Sequence, residues 1–124
     1  LHNDGDLDLT VTHVHRPLAI LRNETKTNRS FIGLELRTPQ RIPPIGGRVV
    51  VHTSDRNIVV PVIAGGSYLC SGDPRLLIGL GDSMPEEVDV TVMWASGETQ
   101  EFKGLKANEY WRITEGSAAP ARGL

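Results

Sequence analysis

The chain has little of several residue types, and each shortage excludes a class of protein. It contains one cysteine, Cys70, so no disulfide can form within the chain. No apolar run approaches the roughly 20 residues of a membrane-spanning helix. The formal net charge is -2 and the pI is about 6.1, so no basic field attracts nucleic acid or an anionic membrane. We therefore expect neither a nucleic-acid partner nor a membrane span.

Patterns typical of helices are almost absent, whereas short alternations of apolar and polar residues recur along the chain. The clearest alternation places Val88, Val90, Val92 and Trp94 on one face of a strand. At 124 residues the chain is long enough to bury a core of its own. The sequence therefore predicts an all-β domain, either an antiparallel β-sandwich or a barrel-like fold.

The patterns divide the chain into four parts. Residues 1–24 hold two apolar alternations around Arg16 and Pro17, which predict a β-hairpin. Residues 25–30 are polar and form a linker, and residues 31–114 contain the strands of the main domain. Residues 115–124 show no periodicity, so we expect a disordered tail.

The strongest chemical signal is an acidic cluster at the start of the chain. Asp4, Asp6 and Asp8 place three carboxylates in five positions beside Gly5. Such close carboxylates repel one another, and oxygen-rich short loops are what Ca²⁺ selects. The sequence therefore predicts a partial calcium loop with Asp4 and Asp8 as carboxylate ligands and Asp6 contributing its carbonyl. The alternative is a solvated acidic turn.

The calcium-loop pattern in this acidic segment also lacks its first position. A calcium loop of the D-x-[DN]-x-[DN]-G type has its glycine at the sixth position. Counting back from Gly5 places His2 at the third position and the first position before Leu1. We therefore expect the chain to be a fragment of a larger protein, with Ca²⁺ bound in the full-length protein but not tightly by this fragment.

Residue types that often carry catalysis lack the neighbours that they need. Cys70 has no histidine close in sequence to activate its thiol, and a free cysteine is most often buried and inert, so we expect a buried thiol. Ser67 follows two glycines but is not in the G-x-S-x-G pattern of a nucleophile elbow. His13 and His15 have no third ligand at a short spacing, so exposed strand-end histidines are favoured over a transition-metal site. We therefore expect no enzymatic activity, no catalytic residue and no cofactor-binding residue.

Two parts of the sequence resemble known families. Residues 3–9 resemble the end of an FG-GAP repeat, the calcium-binding blade unit of integrin-alpha-like β-propellers. The remainder resembles the ASPIC/UnbV domain that follows such propellers in cartilage acidic protein-like proteins. The ordered blocks that carry this second resemblance are residues 45–49, 65–69, 71–75, 79–81, 92–97 and 108–110. His2 and Ala95 depart from the residues usual in these patterns.

The resemblance implies a non-catalytic module that is secreted, periplasmic or on the cell surface. It would pack on or extend an adjacent β-propeller and act in adhesion or protein assembly, and residues 1–24 would be the remnant of a propeller blade. A carbohydrate- or small-ligand-binding β-sandwich is the alternative, with a protein or glycan as its ligand. The UnbV branch of the family leaves an accessory role in a biosynthetic system as a third reading.

Overall fold

A computed structural model describes residues 4–25, 29–81 and 85–123 of the chain. Within these residues the backbone forms ten β-strands. The strands are β1 Leu9–Val11, β2 Ala19–Leu21, β3 Ser30–Arg37, β4 Arg48–His52, β5 Asn57–Pro61, β6 Leu76–Gly81, β7 Glu87–Met93, β8 Thr99–Lys106, β9 Tyr110–Thr114 and β10 Ala121–Arg122. No helix in this part of the chain is long and apolar enough to cross a membrane.

Eight of the strands form two four-stranded sheets, with the orders β10-β9-β3-β6 and β5-β4-β7-β8. The sheets pack against each other as a sandwich and do not close into a barrel, so the predicted all-β fold is confirmed. The pairing of β3 with β9 is parallel, whereas the other pairs are antiparallel. Parallel neighbours need a long connection, and here the whole second sheet lies between them in the chain.

The core lies between the two sheets and is built from branched apolar side chains. Ile32, Leu34 and Ile113 face it from the first sheet and are fully buried. The predicted apolar face of β7 is confirmed, because Val88, Val90 and Val92 are at most 3% exposed. Trp94 closes one end of this row and is 3% exposed. Period-two burial along these strands is the pattern that a sandwich requires.

The first two strands form a separate hairpin. Leu9 pairs with Leu21 and Val11 pairs with Ala19, so the predicted hairpin is present. It joins neither sheet of the sandwich. Its connecting segment includes His13 and His15, which are exposed beyond the end of β1 and therefore share no strand face.

The end of the chain differs from the predicted disordered tail. Ala121 pairs with Arg112 and Arg122 pairs with Trp111, which adds a two-residue strand to the edge of the first sheet. The N–H of Gly123 also donates to the carbonyl of Tyr110 at 2.9 Å. The open edge of β9 offers unpaired N–H and C=O groups, and β10 pairs with them. Because β10 has only two residues, it leaves no periodic pattern in the sequence.

Candidate functional site

A cleft lies at one end of the sandwich, between the loop before β4 and the loop between β5 and β6. We call it the loop cleft; it has a volume of about 670 Å³ and is lined by residues 43, 45, 62–67, 70–74 and 76. Pro43, Ile45, Val62 and Leu76 give it an apolar wall. Ligand sites are typically concave and mainly apolar with a few polar groups, so this cleft is the first candidate for a binding site.

Exposed apolar side chains surround the loop cleft. Tyr68 is 87% exposed and Leu69 is 89% exposed on the loop that forms one wall. Cys70 follows them and is also exposed, which corrects the expectation of a buried thiol. The loop turns here because the N–H of Cys70 donates to the carbonyl of Ser67 at 3.2 Å, and this places residues 68–70 at the surface.

The far side of the loop cleft is fixed by an ion pair. The backbone N–H of Arg75 donates to Asp73 Oδ1 at 2.9 Å, and its Nε donates to the same carboxylate at 2.9 Å. The hydrogen bonds from Arg75 lower the pKa of Asp73 and, reciprocally, raise the pKa of Arg75. The two side chains thereby hold a turn in which Pro74 sets the backbone φ.

Arg75 also lies over an aromatic ring on the outer face of the first sheet. Its guanidinium carbon is 5.0 Å from the ring centroid of Tyr110, a cation–π distance. Burial raises the pKa of Tyr110. The Tyr110 ring lies over Gly33, where an added Cβ would come within 2.1 Å of the ring. The phenol is therefore held flat on the sheet by the glycine below it and the guanidinium above it.

The same stack connects the sandwich to the start of the chain. The ring centroids of Phe31 and Tyr110 are 5.6 Å apart. A Cβ on Gly5 would lie 2.3 Å from the Phe31 ring, and Gly5 has a φ of 91° that favours glycine. The acidic segment is thus in van der Waals contact with the outer face of the first sheet.

A second ion-pair group occupies the outer face further along β3. Arg112 Nε donates to Glu35 Oε2 at 2.9 Å, and Arg37 Nε donates to Oε1 at 2.6 Å. Burial by itself raises the pKa of Glu35, but the hydrogen bonds from Arg112 and Arg37 outweigh it and the net pKa is lowered. The lowered pKa keeps the Glu35 carboxylate ionised near neutral pH, paired with both arginines on the sheet surface.

The three predicted calcium ligands lie in the described loop, but they do not converge. Asp4 Oδ1 accepts the N–H of Asp6 at 3.2 Å, and Asp8 Oδ1 accepts the N–H of Asn23 at 2.9 Å. No group of three His, Cys, Asp or Glu side chains in residues 4–25, 29–81 and 85–123 could hold a metal ion. His2 lies outside the described residues. The described carboxylates therefore do not fit a complete calcium site by themselves.

Among the described residues, both ring nitrogens of His52 lie within hydrogen-bond distance of polar side chains, an arrangement that resembles those of catalytic histidines. Its Nδ1 is 2.9 Å from Asn57 Oδ1 and its Nε2 is 2.8 Å from Thr91 Oγ1. However, Thr91 is 9% exposed in the middle of β7. His52 is also not among the residues that line the loop cleft with Cys70 and Ser67. The arrangement orders the outer face of the second sheet.

The sequence did not indicate the stack of Arg75, Tyr110 and Phe31. These residues come from distant parts of the chain, and only the parallel pairing of β3 with β9 brings Tyr110 beside Gly33. A glycine in the middle of a strand was the one available signal, since it often marks a close approach of another group.

A known protein family matches most of the chain. A family model described as ASPIC and UnbV matches residues 38–120, and a search of the curated proteins finds no match. The match covers β4 to β9 and the loops around the loop cleft, and so confirms the ASPIC/UnbV resemblance. The FG-GAP resemblance of residues 3–9 stays a prediction. The chain therefore belongs to the ASPIC and UnbV family.

Proposed function

We propose that this chain is a non-catalytic extracellular module that packs on an adjacent β-propeller and acts in adhesion or protein assembly. The observation that carries the proposal is the exposed apolar hairpin, because apolar side chains left on the surface mark interaction sites. The family match supports the domain type, and the FG-GAP resemblance supplies the kind of partner.

The hairpin presents apolar side chains on two short strands. Leu9 is 57% exposed, and Ile20 and Leu21 are 56% and 55% exposed. Leu18, just before β2, is also 56% exposed. In the described part of the chain β1 and β2 pair only with each other, so both outer edges keep free backbone donors and acceptors. A two-stranded hairpin is marginal alone in water and gains stability by joining a neighbouring sheet.

The acidic segment extends the same proposal. Asp4, Asp6 and Asp8 would supply part of a calcium loop, with further oxygen ligands from outside the described residues. Gly5 against Phe31 keeps this segment on the sandwich. Calcium bound there would stabilise the join between the module and the propeller rather than take part in a reaction.

A matched pair of substitutions tests the packing function. Ile20→Asn and Val59→Asn both place an amide at a half-exposed strand position, since the two side chains are 56% and 59% exposed. We expect both variants to unfold within about 0.5 kcal/mol of the parent chain, as exposed changes do. Only Ile20→Asn should weaken binding to a separately produced propeller, measured by titration calorimetry. Equal binding by both variants would contradict the proposal.

The loop cleft favours a second function, ligand binding at one end of the sandwich. Its apolar wall fits a small ligand or a glycan, and the exposed ring of Tyr68 lies on the loop that forms part of this wall, although it does not line the cleft. A ligand screen by amide NMR should move the peaks of Gly65, Gly66 and Gly72, which line the cleft. If no ligand binds, or if the ligands bind elsewhere, ligand binding at the loop cleft is contradicted and the packing function is the one that remains.

A further inference from the structure

Large apolar side chains that face solvent gather at one end of the sandwich. In the part of the chain that the structure describes, those outside residues 4–25 are Ile42, Ile45, Val59, Ile63, Tyr68 and Leu69. All except Val59 belong to the two loops that form the loop cleft, residues 38–47 and 62–75. We call Ile45, Ile63, Tyr68 and Leu69 the end patch. Single exposed apolar residues are ordinary, but a cluster of them marks an interaction surface.

The end patch combines a hollow with a protrusion. The hollow is the loop cleft, and the protrusion is a tight turn at its rim. Ser67 and Cys70 both line the cleft, and the N–H of Cys70 donates to the carbonyl of Ser67 at 3.2 Å. Tyr68 and Leu69 lie between them, do not line the cleft and face solvent. We call these two residues the turn apex.

The backbone of the turn apex is strained. Leu69 has a φ of 55°, a left-handed conformation that is uncommon for residues other than glycine, asparagine and aspartate. The Leu69 side chain is 89% exposed, so it buries little apolar area within its own chain to offset this strain. Strained backbone is concentrated at functional sites, which indicates that the leucine serves a contact outside its own chain.

An apolar group can fill the loop cleft without burying an unpaired charge. Asp73 is the one charged residue among the described residues that line the cleft. The backbone N–H and the Nε of Arg75 both donate to its carboxylate. Burial of an unpaired carboxylate would oppose association, whereas this carboxylate already has its partner.

We propose that two copies of this chain form a symmetric pair in which the turn apex of each copy enters the loop cleft of the other. A two-fold interface joins the same patch on both chains, so the patch must be complementary to itself. A protrusion beside a hollow, both of them apolar, meets this requirement. Clefts of about 670 Å³ can enclose a drug-sized molecule, so there is room for the leucine side chain. A second copy in the cleft excludes a small ligand from it.

The area of the end patch makes this pair reversible. A tyrosine contributes roughly 150–250 Å² and an aliphatic side chain about 100 Å², so the exposed parts of the patch amount to roughly 300–400 Å² per copy. With the cleft walls added, the pair stays below about 1,200 Å² in total, the range of weak interfaces. No residue of the hairpin lines the loop cleft, and the inference does not rest on the packing of the hairpin.

Sedimentation equilibrium of the whole chain over about a hundredfold range of concentration tests the pair. The average mass should rise from 13.5 kDa toward twice that value. Leu69→Asn removes the apolar side chain but accepts the left-handed backbone, so it should stay monomeric with a thermal midpoint no lower than that of the parent. Val59→Asn makes the same kind of change at a 59% exposed position outside the end patch and should pair as the parent does. A parent chain that stays monomeric throughout, or Leu69→Asn pairing as the parent does, would overturn the proposal.

NMR of an equal mixture of labelled and unlabelled copies locates the contact between them. Intermolecular NOEs should join the Leu69 methyl groups of one copy to Ile45 and Leu76, which line the cleft of the other. NOEs between the two hairpins in their place would assign the pairing to the hairpin and overturn the proposal. Ile20→Asn should pair as the parent does, so that loss of pairing and loss of propeller binding are separate outcomes.

Discussion

Replacement of Trp94 by alanine tests whether the end of the core depends on one ring. A tryptophan buries roughly 150–250 Å², and at about 25 cal/mol per Å² its removal forfeits roughly 4–6 kcal/mol. The indole N–H has no acceptor within residues 4–25, 29–81 and 85–123, so its removal returns about 1 kcal/mol or more. We therefore expect Trp94→Ala to lower the free energy of unfolding by about 3–5 kcal/mol, the range of large core truncations.

Urea unfolding monitored by tryptophan fluorescence measures this loss, because Trp111 remains as the reporter in the variant. At a slope of about 1.5 kcal/mol per molar urea, a loss of 3 kcal/mol lowers the midpoint by about 2 M. Trp94→Phe keeps a ring in place and should lose less than half as much. Tyr68→Ala removes a ring that is 87% exposed and should change stability by less than about 0.5 kcal/mol. A loss below about 1 kcal/mol for Trp94→Ala would refute the assignment of this ring to the core.

Three further predictions follow from the outer face and the acidic segment. Gly33→Ala should destabilise the chain by about 1–3 kcal/mol in urea unfolding, because the new Cβ meets the Tyr110 ring; a neutral result would show that the ring is not seated there. The pKa of Glu35 is lowered in the folded state, so its contribution is present above the unfolded pKa and is lost as pH falls through the folded pKa. Stability measured from pH 6 down to about pH 3 should therefore fall less steeply for Glu35→Gln, and equal slopes would contradict this. Excess Ca²⁺ and chelator should give nearly the same thermal midpoint, because the strands of the sandwich do not include residues 4–8; a large difference would show that the isolated chain binds Ca²⁺ tightly.

Much of the fold could be predicted because burial between two sheets leaves a period-two signature. Val88, Val90 and Val92 show this signature, and they form part of the core. The hairpin predicted within residues 1–24 could also be recognised, from the two apolar alternations that became β1 and β2. The parallel pairing of β3 with β9 was not, since it joins strands separated by the entire second sheet, and no local pattern encodes such a contact.

The candidate sites were less predictable than the fold. Cys70 is exposed rather than buried, because a turn of the chain and not its residue type decides its position. The stack of Arg75, Tyr110 and Phe31 could not be foreseen, since it depends on the parallel pairing of β3 with β9. Asp73 and Arg75 were predictable because their contact is local and follows the chemistry of a turn.

The central claim is that the apolar hairpin is an interface for an adjacent domain, and hydrogen exchange of its backbone amides tests that claim most directly. In the isolated chain we expect the amides of β1 and β2 to exchange rapidly while those of β4 and β7 stay protected, because only the latter lie in a packed sheet. With the propeller present, exchange in β1 and β2 should slow by about a hundredfold or more, which corresponds to roughly 2.7 kcal/mol of added stability. Unchanged exchange in β1 and β2 with the propeller bound elsewhere, or not bound at all, would contradict the account.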